Sequence, residues 1–310
     1  MREYDLNKVI ISELSKELGK IEQSSRYRIG KYVTDTLDDV KALNLVQLWN
    51  KVIRHIIYPR LGCDTRSKEW KEYIKSKVDQ RVCTKLQGES ATVYTCITGN
   101  YDSLVRMPVR SDRTRYILYT DNLCIDASGW EIKPIPDELR AYTPAYINRY
   151  IKLHPYKYFD TAYTVYIDGN LWLLSDIWEM CERAHESTLG IGMYAHGYRD
   201  CVYDEARVCE ILRRGSKEGI KRQVESCTKA GVKRHSGLME ACIIVTDQTS
   251  DQARKLYDTW WDEFISSGSG RDQLALPAAV YRIGLRMTDF AILGDNARAD
   301  SRLHFDAHRN

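Results

Sequence analysis

Tyr166-Ile167-Asp168-Gly169-Asn170 places an aspartate at the end of an apolar, β-branched run, with a second oxygen-bearing side chain two residues on. Hard divalent cations such as Mg²⁺ and Mn²⁺ take oxygen ligands and keep positions open for phosphate oxygens, so an acid at a strand end can hold the metal of a nucleoside diphosphate. Asn170 is a neutral and weaker ligand than a carboxylate, and Asp-Gly-Asn alone is equally a common turn. Similar punctuation occurs twice upstream. Ala91–Ile97 runs into Thr98-Gly99-Asn100-Tyr101-Asp102, and Arg115–Thr120 into Asp121-Asn122. Ligands of open α/β sheets collect at the carboxyl ends of strands, so Asp102, Asp121 and Asp168 are expected to converge. Asp272 stands between Ser266-Ser267-Gly268-Ser269-Gly270 and an apolar helical stretch. It reads either as a helix cap or as a carboxylate within reach of a reacting hydroxyl. Arg106, Arg110, Arg113 and Arg115 form a basic run that fits phosphate or a solvated loop. His304, Asp306 and His308 either close over a diphosphate or belong to a fraying end.

The elements that must position these residues follow from periodicity. β-branched and aromatic runs predict strands at 91–97, 115–120, 162–167, 189–194 and 238–245. Helical spacing predicts helices at 145–153, 202–212, 220–230, 252–264 and 273–281. Residues 1–88 differ in texture, with apolar residues at helical spacing, rare Gly and Pro, and a break at Tyr58-Pro59-Arg60-Leu61-Gly62. They predict three or four helices with no chemistry of their own. The expected organisation is a helical N-terminal extension over 1–88 and an α/β domain over 89–310.

Composition places the chain in the globular class, at 43% hydrophobic and 29% charged residues. The net charge of +3 is uneven: residues 1–88 carry 18 Lys and Arg against 12 Asp and Glu, the remainder 28 against 31. Such an excess could serve a polyanion, including a nucleic-acid acceptor, or an oligomerisation surface that makes a homodimer. The nine cysteines make no C-x-x-C pair and their number is odd, which reads as reduced packing thiols and a cytoplasmic protein. The opening MREYDLNKVIISEL lacks the apolar core of a secretory leader, and no apolar run approaches a membrane span.

Five motifs occur in a fixed order: Tyr-Thr-x-Ile-Thr-Gly-x-Tyr-Asp (94–102), Tyr-x-Asp-Gly-Asn (166–170), His-x-x-Arg-Asp-Cys-x-Tyr-x-Glu-Ala (196–206), Gly-Leu-x-Glu-x-x-Ile-Ile-Val (237–245) and Trp-Trp-x-Glu…Arg-Asp-Gln-Leu (260–274). Over about residues 90 to 285 the chain resembles the glycosyltransferase-like family of plant mucilage-related proteins, which has bacterial polysaccharide-cluster members. The resemblance implies a GT-A (Rossmann-like) α/β fold and transfer of a sugar from a nucleoside diphosphate sugar, with a UDP-sugar and Mn²⁺ or Mg²⁺ as the expected donor and cation. Carried onto this chain, it implies that Thr98, Gly99, Asn100 and Tyr101 sit beside the donor nucleotide and Asp121 near its base or ribose. Lys152, Arg199 and Gln273 fall to donor binding, Asp168, Asn170 and His304 to the metal, and Asp272 and His196 to catalysis. A hydroxyl of a glycan, as in polysaccharide synthesis, is the expected acceptor. A fold that binds nucleotide sugar without turnover, and transfer to a modified DNA base, are the alternatives. Gly197 departs from the family pattern, which has Pro more often.

Overall fold

The computed structural model describes residues 66–99, 101 and 109–306. The expected helices before residue 66, and Asn100, Asp102, Arg106 and His308, lie outside the described residues. The first described helix, α1 (Lys68–Val78), is capped by Ser67, whose hydroxyl accepts from Trp70 N. It buries Trp70 and Ile74 in the same apolar cluster as the strands below. This last part of the expected extension is thus packed onto the α/β core.

The core is a sheet of β1 (Ala91–Ile97), β2 (Thr114–Thr120), β3 (Glu131–Pro134), β4 (Tyr163–Ile167), β6 (Ile191–Ala195), β7 (Met239–Asp247) and β8 (Ala291–Ile292), in the order β3-β2-β1-β4-β7-β6-β8. Every residue of β1 and β4 is buried, as befits central strands covered on both faces. All neighbours run parallel except β7, which is antiparallel to both β4 and β6. Reversal of β7 brings its first residues, Met239 and Glu240, to the edge where β1, β4 and β6 end. A second sheet pairs β5 (Leu171–Leu173) with β9 (Leu303–Phe305).

One face of the main sheet is covered by α1, α2 (Pro144–Leu153), α3 (Pro155–Tyr158), α7 (Asp251–Ser267) and α8 (Asp272–Arg282), around Tyr94, Tyr166, Trp260 and Phe264. The other carries α4 (Trp178–His185) on Val165, Ile167 and Val245. Helices α5 (Val202–Ile211) and α6 (Lys217–Lys229) form a third cluster with α8. Helix α7 starts at Ser250, whose side chain accepts from Ala253 N, and stops at Gly268, which takes a left-handed φ of 59°. The five expected strands and five expected helices are present with ends shifted by a few residues. The two- to four-residue strands β3, β5, β8 and β9, and the short helices α3 and α4, are additions.

Candidate active site

The carboxyl ends of β1, β2 and β4 and the start of β7 form one edge, where Thr98, Gly99, Asp121 and Asp168 lie. At the end of β1, Thr98 Oγ1 donates to Pro144 O at 2.8 Å and Gly99 N–H donates to Asp121 Oδ2 at 2.8 Å. Gly99 has φ 67°, and a Cβ there would lie 3.0 Å from the Pro144 ring, so this close turn requires glycine. Tyr101 is exposed beside it.

Asp168 leaves β4 with its N–H bonded to Cys242 O of β7 at 2.8 Å. Tyr166, two residues earlier on the same face, donates its hydroxyl to Asp168 Oδ1 at 2.9 Å. Asn170 is buried; its Nδ2 donates to Asp306 O and its carbonyl accepts from Asp306 N, both at 2.9 Å. Those bonds stitch the β4 turn to the end of β9, two residues from His304. The His304 ring packs edge-on against Trp172 at 4.6 Å, and its Nε2 lies 3.7 Å from Asp306 Oδ1.

Beneath the edge is a buried charge cluster. Lys152, near the end of α2, donates from Nζ to Asp272 Oδ2 at 2.6 Å. Arg149 Nε lies 3.7 Å from Asp272 Oδ1 and, although this atom is buried, has no hydrogen-bond partner among the described residues, while Nη1 donates to Asn148 Oδ1 at 2.9 Å. Burial opposes the Arg149 charge, and the negative charge of Asp272, then of Tyr166 and Asp168, outweighs that and holds the guanidinium charged. Burial likewise pushes the Asp272 carboxyl up, but Lys152 and Arg149 outweigh it and hold it well below the usual carboxylate range. The cap reading of Asp272 is corrected by the geometry. Asp272 is the first residue of α8; Arg271 takes the cap position and makes no side-chain cap bond. The Asp272 carboxylate goes to Lys152 while its carbonyl accepts from Trp260 Nε1 at 2.7 Å. Gln273 is buried and ties α8 to β7 through Nε2 to Met239 O at 2.8 Å.

His196 and Arg199 follow β6. The buried His196 ring accepts at Nδ1 from Arg199 N at 3.0 Å and Tyr198 N at 3.3 Å, so Nδ1 carries no proton. Its Nε2 faces Glu205 Oε2 at 3.6 Å. Burial pushes its pKa down to about 4, with Glu205 opposing, so the ring is neutral near pH 7. Arg199 Nε donates to Glu205 Oε2 at 2.6 Å. These two residues therefore organise the 196–199 turn around Glu205. Among the described residues, the arginines of the loop entering β2 and of β2 itself make separate contacts. Arg110 bonds Gly129 O, Arg113 bonds Glu89 O and stacks over Trp178 at 4.3 Å, and Arg115 pairs with Glu131.

Residues 146–301, half of the chain, match the family model described as TOD1/MUCI70, glycosyltransferase-like domain. The chain belongs to this family. The match begins later than the resemblance read from the motifs, after β1 and β2. No curated protein matches the chain. Among solved structures it is similar to the WbbM bifunctional glycosyltransferase, at 11% identity and TM-score 0.39 over 68% of this chain and 40% of that one. It is also similar to the galactosyltransferase LgtC solved with donor and acceptor sugar analogs, at 12% identity and TM-score 0.35, covering 61% of this chain and 69% of that one. A third is mouse xyloside xylosyltransferase 1, at 11% identity and TM-score 0.36, covering 66% and 84%. The chain thus spans about two fifths of the first of these. Its fold is of the expected α/β class, a mostly parallel seven-stranded sheet covered by helices.

Two residues of this glycosyltransferase-like domain were given no role by sequence. Arg149 was only one cation in the helix before β4. Glu240 stood inside an apolar strand pattern, yet it opens the antiparallel β7 at the site edge, opposite a bulge between Met193 and Tyr194. Bulges next to sites re-aim side chains. Burial pushes the Glu240 carboxyl up to about 6; Arg298 opposes, while Asp168 and Glu205 add to the rise. Among the described residues no helix is long and apolar enough to cross a membrane.

Proposed function

We propose that the chain transfers a sugar from a nucleoside diphosphate donor to an acceptor hydroxyl, with the diphosphate seated between Asp168 and Arg149. The observation that carries this reading is the half-buried Arg149 guanidinium at the edge where β4 runs into Asp168: its buried Nε has no hydrogen-bond partner among the described residues, and Asp168 is among the carboxylates that hold it charged. A buried donor without a partner costs about 1–3 kcal/mol, and a phosphate oxygen would remove that cost.

The donor set also fits a hard cation. Asp168 and Asn170 offer oxygen atoms and His304 an imidazole beside them on β9, and these three would hold Mn²⁺ or Mg²⁺. When bound, the cation supplies charge neutralisation to the leaving diphosphate. Gly99 and Asp121, joined by one hydrogen bond, form the nucleoside end, with Thr98 fixing the loop against Pro144. Lys152 holds Asp272 in place and keeps it ionised, so Asp272 faces the reacting centre as a fixed negative charge of low basicity. That suits stabilising positive charge that develops on the donor sugar and orienting the acceptor hydroxyl. Glu240, with its carboxyl near 6, has the basicity that taking a proton near pH 7 requires. Two carboxylates whose surroundings push their pKa values apart divide the work. His196, Arg199 and Gln273 act by positioning the 196–199 turn and the α8 terminus.

The test is turnover by the purified chain with Mn²⁺ or Mg²⁺, hydroxyl-bearing acceptors and a panel of nucleoside diphosphate sugars, UDP-sugars first. Release of free diphosphate from one donor, abolished by Asp168→Ala, is expected. Release that survives that substitution, or nucleotide binding without release from any donor, overturns the reading.

A further inference from the structure

Outside the donor edge, one group of side chains has the composition of a transition-metal site. Cys201, Asp204 and His235 each offer a ligand atom, and those atoms all lie within 4.8 Å of one another. Cys201 and Asp204 belong to the N-terminus of α5, whereas His235 comes from the loop before β7, so the grouping is made by the fold and not by a short spacing.

Two further features of the group favour a cation. His235 Nδ1 lies 2.7 Å from Asp200 Oδ1, and an ionised carboxylate can only accept, so Nδ1 carries the proton and Nε2 is left as the ligand nitrogen. A carboxylate behind the imidazole is the arrangement that orients metal-ligating histidines. Asp200 is itself fully buried and fixed, accepting from Ser67 N at 2.8 Å and Ser67 Oγ at 2.7 Å. Secondly, His235 holds a left-handed φ of 55°, a conformation that costs a non-glycine residue energy and that the surroundings impose. Asp204 gives Oδ1 to Arg234 at 2.6 Å, a pair whose arginine side chain is 61% exposed and therefore weakly held.

We propose that Cys201, Asp204 and His235 bind Zn²⁺, with a water as the fourth ligand, and that the ion staples the loop before β7 to the N-terminus of α5. Ligand atoms of a tetrahedral zinc site stand roughly 3.6 Å apart, given bonds of about 2.0–2.3 Å, so binding asks only for rotamer-sized closure of the cluster. The ligand set is soft and mixed, S, N and O, and therefore selects zinc over the oxygen-seeking Mg²⁺ and Mn²⁺. The thiol gives up its proton to solvent on binding. The stapled segments lead directly to the His196–Arg199 turn on one side and to Met239 and Glu240 on the other, so the ion would fix one wall of the donor edge. The assignment does not depend on the transfer reaction proposed above.

The test uses the full chain stripped of metal with a chelator. It is titrated with Zn²⁺ against a chromophoric competitor, and separately with Co²⁺, read by its thiolate charge-transfer absorption. The expected result is one Zn²⁺ per chain and a Co²⁺–thiolate band, neither displaced by excess Mg²⁺. Cys201→Ser removes the band. His235→Ala, at a partly exposed loop position that leaves the core intact, weakens Zn²⁺ binding at least tenfold, and Asp200→Asn weakens it ~10–100-fold. Cys83→Ser, at an exposed thiol away from the group, changes nothing. Failure to bind Zn²⁺ stoichiometrically, or binding and absorption unchanged in Cys201→Ser or His235→Ala, overturns the proposal.

Discussion

Replacing Lys152 by Met should destabilise the fold by about 3 kcal/mol, and replacing Asp272 by Leu at the same time should restore most of the loss. The two side chains are 4% and 6% exposed and 2.6 Å apart. Taking away one partner strands a buried charge, which costs about 3–5 kcal/mol, whereas replacing both by apolar groups of similar volume is often neutral or stabilising. The low end applies to Lys152→Met, because Arg149 still faces Asp272 at 3.7 Å. A loss of this size lowers the ratio of folded to unfolded chains roughly a hundredfold. Urea denaturation followed by tryptophan fluorescence on wild type, Lys152→Met, Asp272→Leu and the double variant gives the coupling. The account requires a coupling of at least about 2 kcal/mol, and it requires the double variant to be folded yet inactive. Single-variant costs that add within about 0.5 kcal/mol would show that the pair is not an energetic unit and refute the reasoning.

Other outcomes follow from the same geometry. His196 and His154 are each pushed by burial to about 4 in the folded chain, from a usual value near 6.5. The unfolded chain binds those protons first, so stability is complete above about 6.5 and falls as pH drops toward 4. Glu240 has the opposite sign over about 4.5 to 6, and two histidines outweigh one carboxyl. The urea midpoint should therefore fall between pH 7 and pH 5, less so in His196→Asn, whose side-chain oxygen can still accept the two backbone amides; an unchanged midpoint refutes this. Gly99→Ala places a Cβ against Pro144 at positive φ and should cost about 1 kcal/mol or more, read in the same denaturation assay. Trp260→Phe removes the 2.7 Å donor to Asp272 O and should cost about 1–3 kcal/mol beyond any packing loss, with a fall in turnover as the α8 terminus loosens.

The fold class was legible because its central strands are unbroken β-branched and aromatic runs and its helices keep their apolar stripe. β1 and β4, buried along their whole length, were found within a residue or two. The short strands were not legible, since two to four residues carry no alternation, and β9 matters most among them because it carries His304 to the Asp168 turn. Of the proposed site, the strand-end positions of Gly99, Asp121, Asp168 and Asn170 were legible as residue types. Their chemistry was not, because it depends on partners far away in sequence. Lys152 meets Asp272 across 120 residues, which gives the residue read as cap or general base a carboxylate of low basicity. Glu240 gains its place only because β7 runs against its neighbours, a direction that periodicity cannot report. His196 was read as catalytic by type; two amides at Nδ1 and burial make it a neutral ring that organises its own turn, which its type does not report.

The most direct measurement of the central claim is calorimetric titration of UDP into the chain with and without Mn²⁺, for wild type, Asp168→Ala and Arg149→Met. A donor diphosphate seated between these two residues predicts Mn²⁺-dependent binding that falls at least tenfold in each variant, about 1.4 kcal/mol, consistent with loss of a charge-assisted contact. Binding that is indifferent to both substitutions would place the nucleotide elsewhere and contradict the account.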